Sequence, residues 1–252
     1  MALSDDGPEG GTAGGGGRSP GPSLEPTLDV DVDVDVDTSF TRIYRFLRLL
    51  VHLLNRLLFR TTVDGAEQVP ATGAVIIAPV HRSFIDFFVA SEVTHRKLHY
   101  MAKDSLWKNG VLAKILPAVG AFPVHRESAD REALRRAQRV LDAGEVLILF
   151  PEGERRTGPE VDDLHEGVAF LAARTGATVV PVGIGGSASV MPKGKKLPRP
   201  RHIHLVVGAP LPPPERSDAG RIPRSRLHRL TTELTDAIQV LYDRAVSVTR
   251  RY

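Results

Sequence analysis

From Gly65 onward, short apolar runs rich in Val and Ile alternate with stretches of helical period, and this alternation limits the possible folds most strongly. Residues 74–80 (AVIIAPV), 146–150 and 178–184 read as buried strands, with shorter candidates at 98–102, 121–124 and 203–207. Helical patterns fall between them at 84–94, 106–116, 131–143 and 168–175, and a closing helix spans about 225–247. Alternation of this kind predicts one α/β domain over 61–252, with a largely parallel central sheet flanked by helices.

Ahead of that domain the composition changes twice. The first 37 residues carry nine acids (Asp5, Asp6, Glu9, Glu25, Asp29, Asp31, Asp33, Asp35, Asp37) against Arg18 alone. The whole chain is +3, so the remainder is about +11. Gly, Pro, Ser and Asp dominate 1–37, which predicts a disordered acidic tail; the Asp-Val alternation would crowd like charges on one face of a strand. Residues 40–60 (FTRIYRFLRLLVHLLNRLLFR) hold no Gly or Pro. Arg45, Arg48, His52, Asn55 and Arg56 recur there at spacings of three and four, a polar stripe on an otherwise apolar helix. Arginines inside the segment argue against a membrane span. The pattern predicts, for 38–60, an amphipathic helix at the membrane interface with its arginines reaching lipid phosphates, a packed helix being the alternative. Lys103, Trp107, Lys108, Val111, Leu112, Lys114 and Leu116 predict a second basic and apolar surface.

The chain has no cysteine, which removes disulfides, thiolate zinc sites and a cysteine nucleophile. The amino terminus has neither a basic n-region nor an early apolar run, so no secretory signal is expected. A basic domain suits an anionic partner. Nucleic acid is disfavoured, since aromatics are 6% and no basic-aromatic stacking pattern is present. No G-x-S-x-G elbow occurs, against a serine hydrolase.

Chemistry is left to His, Ser and carboxylates. His81 follows the apolar run 74–80, beyond the carboxyl end of a strand where α/β sheets bind ligands. Asp86, five residues on, could orient that imidazole as a general base. Equally, Ser83-Phe84-Ile85-Asp86 fits a capping box, in which Asp86 only caps a helix. The two roles are compatible. A second candidate is LILFPEGERR, a strand running into a turn whose Gly153 admits close backbone approach and whose Arg155 or Arg156 could pair with a phosphate; an ordinary loop is the plainer reading. Arg126 follows a short strand and on its own reads as surface charge. The run from Gly183 to Ser187 reads as a turn. His202 and His204 read as an exposed face of the last strand, since two such ligands do not complete a metal site.

In order, these segments resemble the glycerolipid acyltransferase family, of which bacterial 1-acyl-glycerol-3-phosphate acyltransferases are typical. Its H-x-x-x-x-D block matches His81 and Asp86 in HRSFID. Its Gly and Arg six residues apart match Gly120 and Arg126, its FPEGTRS block matches Phe150, Pro151, Glu152, Gly153 and Arg155, and its apolar strand with Pro matches VVPVGI around Pro181. The closing IHLVVGAPL is similar too, so the resemblance covers about 61–211. It implies that His81, supported by Asp86, deprotonates a glycerol hydroxyl, which attacks the thioester of acyl-CoA or acyl carrier protein. Arg126, Glu152, Gly153 and Arg155 would hold the acceptor's glycerol phosphate, with no metal or bound cofactor. The implied product is phosphatidic acid, made on membrane lipid at the cytoplasmic face of the cell membrane by a peripheral or monotopic protein.

Four positions depart from the pattern. Glu154 and Arg156 replace Thr and Ser, while Pro123 and His125 vary the second block. Arg82 beside His81 resembles the glycerol-3-phosphate and dihydroxyacetone-phosphate acyltransferases, and Val80 stands where lysophosphatidate enzymes more often have Asn. Chain length and a single domain favour 1-acyl-glycerol 3-phosphate as acceptor, with glycerol 3-phosphate or another lysophospholipid as alternatives. A lipid-binding or hydrolytic protein without acyl transfer is the more distant reading.

Overall fold

The computed structural model describes residues 42–124, 131–162, 164–192, 194–195, 197–215 and 221–251. The acidic segment 1–37 and Arg126 lie outside the described residues. In chain order the elements are α1 (Arg42–Leu58), β1 (Thr62–Asp64), β2 (Val75–Pro79), α2 (Asp86–Val89), β3 (Leu98–Lys103), α3 (Gly110–Ala118), β4 (Ala121–Val124), α4 (Arg131–Asp142), β5 (Val146–Ile148), α5 (Gly167–Thr175), β6 (Thr178–Gly185), α6 (Ser187–Val190), β7 (His204–Val207) and α7 (Arg224–Thr249).

The strands form a seven-stranded sheet in the order β1-β7-β6-β2-β5-β3-β4. Every pairing is parallel except β6 with β7. β2 lies in the middle, and all five of its residues are buried, as a strand covered on both faces requires. The expected α/β domain with a mostly parallel sheet is therefore the observed architecture.

Two features of β6 place the last helix. Pro181 sits in this interior strand, where a missing N–H ordinarily breaks the ladder. Its backbone edge faces β7, beyond that strand's end, where its carbonyl accepts from the Gly208 N–H (2.9 Å). Val180 and Val182 keep the β2 side of the ladder, paired with Ile77 and Pro79. Gly183 and Gly185 then share one face of β6, and a Cβ on either would collide with α7 backbone at Leu241 or Ala245. The glycines thus let α7 lie directly on the strand. The 183–187 run is the end of β6 and its departure into α6, not the expected turn.

The helix patterns are shorter than expected at both ends of the candidate site. The 84–94 pattern is α2 followed by a 3-10 turn over Ala90–Val93. The 106–116 pattern splits at Asn109, whose Oδ1 accepts the N–H groups of Val111 (3.0 Å) and Leu112 (3.2 Å) and so starts α3 afresh. β1 was not anticipated, being three residues long on the sheet edge. There the His202 and His204 rings converge on the Thr62 hydroxyl, at 2.9 and 2.7 Å. His204 is buried, so the exposed face expected for this pair is not found, and desolvation lowers the pKa of both imidazoles.

In α1, Arg48, His52 and Asn55 of the polar stripe meet the domain, as in the packed alternative, while Arg45 and Arg56 are exposed. Arg48 donates to the carbonyls of Thr94, His95 and Arg96, which end the 3-10 turn and lack helical partners. His52 pairs with Glu92 (2.5 Å), and buried Asn55 donates to Glu92 (2.8 Å) and to the Phe88 carbonyl (3.0 Å). Arg48 is thus bound to the protein rather than free for lipid phosphate. The apolar side faces outward, with Phe46 and Leu49 each 64% and Leu57 69% exposed.

Candidate active site

The parallel strands end together, and their carboxyl ends bring the sequence-derived residues to one edge. β2 delivers His81, and β5 delivers Phe150 and Glu152. β4 ends at Val124; Arg126 lies outside the described residues.

His81 Nδ1 lies 3.0 Å from Asp86 Oδ2, with both side chains buried. The same Oδ2 accepts the backbone N–H groups of Arg82 (2.7 Å) and Ser83 (2.6 Å). Asp86 therefore ties the backbone of the 81–83 loop and also meets the imidazole, whereas the N-cap of α2 is Ile85 with no side-chain cap bond. Ser83 does not return a side-chain cap; its hydroxyl donates to the Met191 carbonyl (2.8 Å). A carboxylate offers only lone pairs, so Nδ1 must carry the proton that lies between them. Nε2 is then the unprotonated nitrogen, and it makes no hydrogen bond among the described residues. The ring is held by Phe150, stacked at 4.1 Å between centroids, and by the edge of Phe87 at 5.5 Å.

His81 borders a cavity of about 300 Å³ walled by α1, α2, α3, β3 and β4. Its surface is mainly apolar, supplied by residues such as Leu47, Val51, Phe87, Leu98, Leu116 and Val119. Arg155 also borders it. An imidazole base, a guanidinium and an apolar chamber are thus contiguous. Tyr100 lines the same chamber, and burial pushes its phenol pKa above the usual range, keeping it neutral.

Glu152 is not where a phosphate ligand would be. It is fully buried, and both carboxylate oxygens are engaged: Oε2 by the His81 backbone N–H (2.7 Å) and Oε1 by Arg82 Nη1 (2.5 Å). The expectation that it holds the acceptor is corrected, since a buried anion with both oxygens occupied can only fix the loop. Gly153 has φ 69° and faces the His165 ring, which a Cβ would meet at 2.8 Å. The Arg156 N–H donates to the His81 carbonyl (3.0 Å), a second tie between the two loops.

Sequence reasoning missed the setting of Arg82. Its guanidinium donates to Glu152, to the carbonyls of His81 (3.2 Å), Gly158 (3.2 Å) and Glu160 (2.7 Å), and lies over the Tyr242 ring at 5.1 Å. Arg82 is not part of the cavity wall. No local pattern carries this, because its partners other than the His81 carbonyl lie about 70 to 160 residues away. His99 was also not singled out. It lies next to the cavity-lining Leu98 and Tyr100 on β3, and burial, assisted by Lys97, lowers its pKa to about 4.

Residues 60–185 match the family model described as Acyltransferase. The chain is 30% identical over 181 residues to the 1-acyl-sn-glycerol-3-phosphate acyltransferase of Bacillus subtilis, covering 71% of this chain and 86% of that one. A Chlamydomonas reinhardtii protein of the same description is 26% identical, with 69% of this chain and 56% of that one covered. The chloroplastic Arabidopsis thaliana protein is 25% identical, with 55% and 39% covered, so the chain spans about half or less of these two. The crystal structure of the 1-acyl-sn-glycerophosphate acyltransferase of Thermotoga maritima shares the fold, with a TM-score of 0.63 at 23% identity over 84% of this chain and 80% of that one.

Proposed function

The chain belongs to the acyltransferase family, and from that premise we propose that it moves a fatty acyl group from a thioester to the free hydroxyl of 1-acyl-glycerol 3-phosphate, making phosphatidic acid. The observation that carries this reading is His81, oriented by Asp86, at the edge of an apolar cavity that Arg155 also borders. His81 Nε2 takes the hydroxyl proton as the oxygen bonds to the thioester carbonyl carbon. The tetrahedral intermediate then expels the thiolate, the C–S bond breaks, and the proton passes from His81 to sulfur. The apolar cavity suits the aliphatic chain, and Arg155, with Arg126, suits the acceptor's phosphate through paired N–H donors. Neither a protein nucleophile nor a bound cofactor is needed.

Two observations favour the lysophosphatidate acceptor over glycerol 3-phosphate. The relatives named above are described as acting on 1-acyl-glycerol 3-phosphate. Arg82, the residue that pointed elsewhere, is bound to Glu152 and takes no part in the cavity wall. The test is an acceptor panel with one acyl donor. Turnover with 1-acyl-glycerol 3-phosphate is expected to exceed that with glycerol 3-phosphate or dihydroxyacetone phosphate at least tenfold, and the opposite order would reassign the acceptor.

The lipid acceptor requires access to a bilayer. Among the described residues no helix is long and apolar enough to cross a membrane. The outward Leu and Phe side of α1, the exposed Val111 and Ile115 of α3, and the nearby exposed Lys103, Lys108 and Lys114 favour contact with the surface of an anionic membrane. Leu49→Glu/Leu53→Glu/Leu57→Glu is therefore expected to lose sedimentation with anionic vesicles while keeping its circular dichroism. Undiminished sedimentation would place the anchor elsewhere.

A further inference from the structure

Leu98, Tyr100 and Ala102 alternate along β3, share one face of the sheet and line the chamber in turn. Leu98 and Ala102 give it hydrocarbon. Tyr100 gives it a ring and, at the end of the ring, an oxygen. That hydroxyl makes no hydrogen bond among the described residues. A tyrosine hydroxyl shut away from bulk water ordinarily finds a partner, because a buried donor left unmade costs more than a made bond returns. Phenylalanine would supply the same apolar wall without that cost.

The polar groups around the phenol are engaged with one another. The Tyr44 hydroxyl accepts from Arg48 (3.3 Å) and from the Leu98 N–H (3.2 Å). Arg48 also donates to the carbonyls of Thr94, His95 and Arg96, and Glu92 is held by His52 and Asn55. Burial first, and then Tyr44, Arg48 and Glu92, act on the Tyr100 phenol, which stays protonated and so remains a donor. Its electrostatic neighbours thus belong to α1 and the 3-10 turn, and neither His81 nor Arg155 is among them. Tyr100 and His81 both pack on the Phe87 ring, at 6.3 and 5.5 Å between centroids. The thioester reacts at His81, so the phenol is placed for the body of the acyl chain rather than for the reacting carbon.

We propose that the chamber selects a fatty acyl chain carrying an oxygen along its length, as a hydroxyl or a ketone, to which the Tyr100 hydroxyl donates. The inference rests on the acyl-transfer reading above and adds the class of acyl chain. An unsubstituted chain would seal the phenol against methylenes, with neither water nor a partner, and that penalty falls on the wrong substrate. A matching oxygen removes the penalty and brings no strain to the apolar wall on either side.

The test measures kcat/KM of the full chain for acyl thioesters of the length it turns over fastest, on CoA and on acyl carrier protein. The chains are unsubstituted or carry a hydroxyl or ketone at successive carbons, with 1-acyl-glycerol 3-phosphate in vesicles of fixed composition. One position of the oxygen is expected to be preferred over the plain chain about tenfold or more. Tyr100→Phe keeps the ring and loses only the oxygen. In it the preferred chain should fall about tenfold and the plain chain should gain, so that the order reverses. A wild type that uses the plain chain as well as every substituted one overturns the proposal, whether or not the variant folds. An equal loss with all chains in Tyr100→Phe also overturns it, by assigning the phenol to the reacting carbonyl. A wild type that transfers from no thioester would instead overturn the acyl-transfer reading.

Discussion

Replacing Asp86 with Asn is expected to lower kcat for acyl transfer by about 10³-fold or more with the fold retained. The Asn carbonyl oxygen can take the place of Oδ2, which accepts the N–H groups of Arg82 and Ser83 and also meets His81 Nδ1. Its amide nitrogen then takes the place of Oδ1, which is buried and has no hydrogen-bond partner among the described residues. What is lost is the negative charge that stabilises the imidazolium formed when Nε2 takes the proton of the acceptor hydroxyl. His81→Ala removes the base altogether and should lose about 10²- to 10⁴-fold. Steady-state turnover with thioester and 1-acyl-glycerol 3-phosphate, alongside thermal unfolding, measures both. An Asp86→Asn enzyme that kept a tenth of wild-type kcat would show that the carboxylate only caps the loop.

Arg82→Ala is expected to destabilise the protein by about 3–5 kcal/mol, the range for stripping one partner from a buried ion pair. Glu152 would keep its charge in a fully buried site, with only the His81 N–H left to satisfy it. The carbonyls of Gly158 and Glu160 would lose donors as well. A domain typically has about 5–15 kcal/mol of stability in total, so such a loss should also show as poor soluble yield. Arg82→Met combined with Glu152→Gln should cost less than the two single changes summed, because neither partner is left as an isolated charge. Urea unfolding of the four proteins gives that coupling. Had Arg82 been an acceptor ligand, its removal would instead raise acceptor KM at unchanged stability, and that result would return it to the site.

How much was legible follows from how local each signal is. The strands at 121–124 and 178–184, and helix α4, announced themselves because their apolar periods are complete within a few residues. His81 and Asp86 were found because both halves of their interaction lie within one loop. Glu152 was found and misassigned: a carboxylate in a turn looks available until Arg82 and the His81 N–H are seen to occupy it. The α1 stripe is legible at the right positions, but not that Arg48, His52 and Asn55 within it pack against the domain. Its partners, Glu92 and the carbonyls of 94–96, are some 40 residues distant, and nothing inside the helix says that they need cations and amides. Without them, the polar side of an amphipathic helix is naturally assigned to water.

The two sides of α1 have a kinetic consequence. Its inner residues wall the cavity, while its outer residues are those proposed to meet lipid, so the width of one helix separates the chamber from the proposed bilayer contact. A hydrocarbon chain could then pass between bilayer and chamber without crossing water. Encounter with the acceptor would be a search in two dimensions. Rate would follow the mole fraction of acceptor in the surface, and diluting it with inert lipid at constant bulk concentration would slow the enzyme as depletion slows a soluble one.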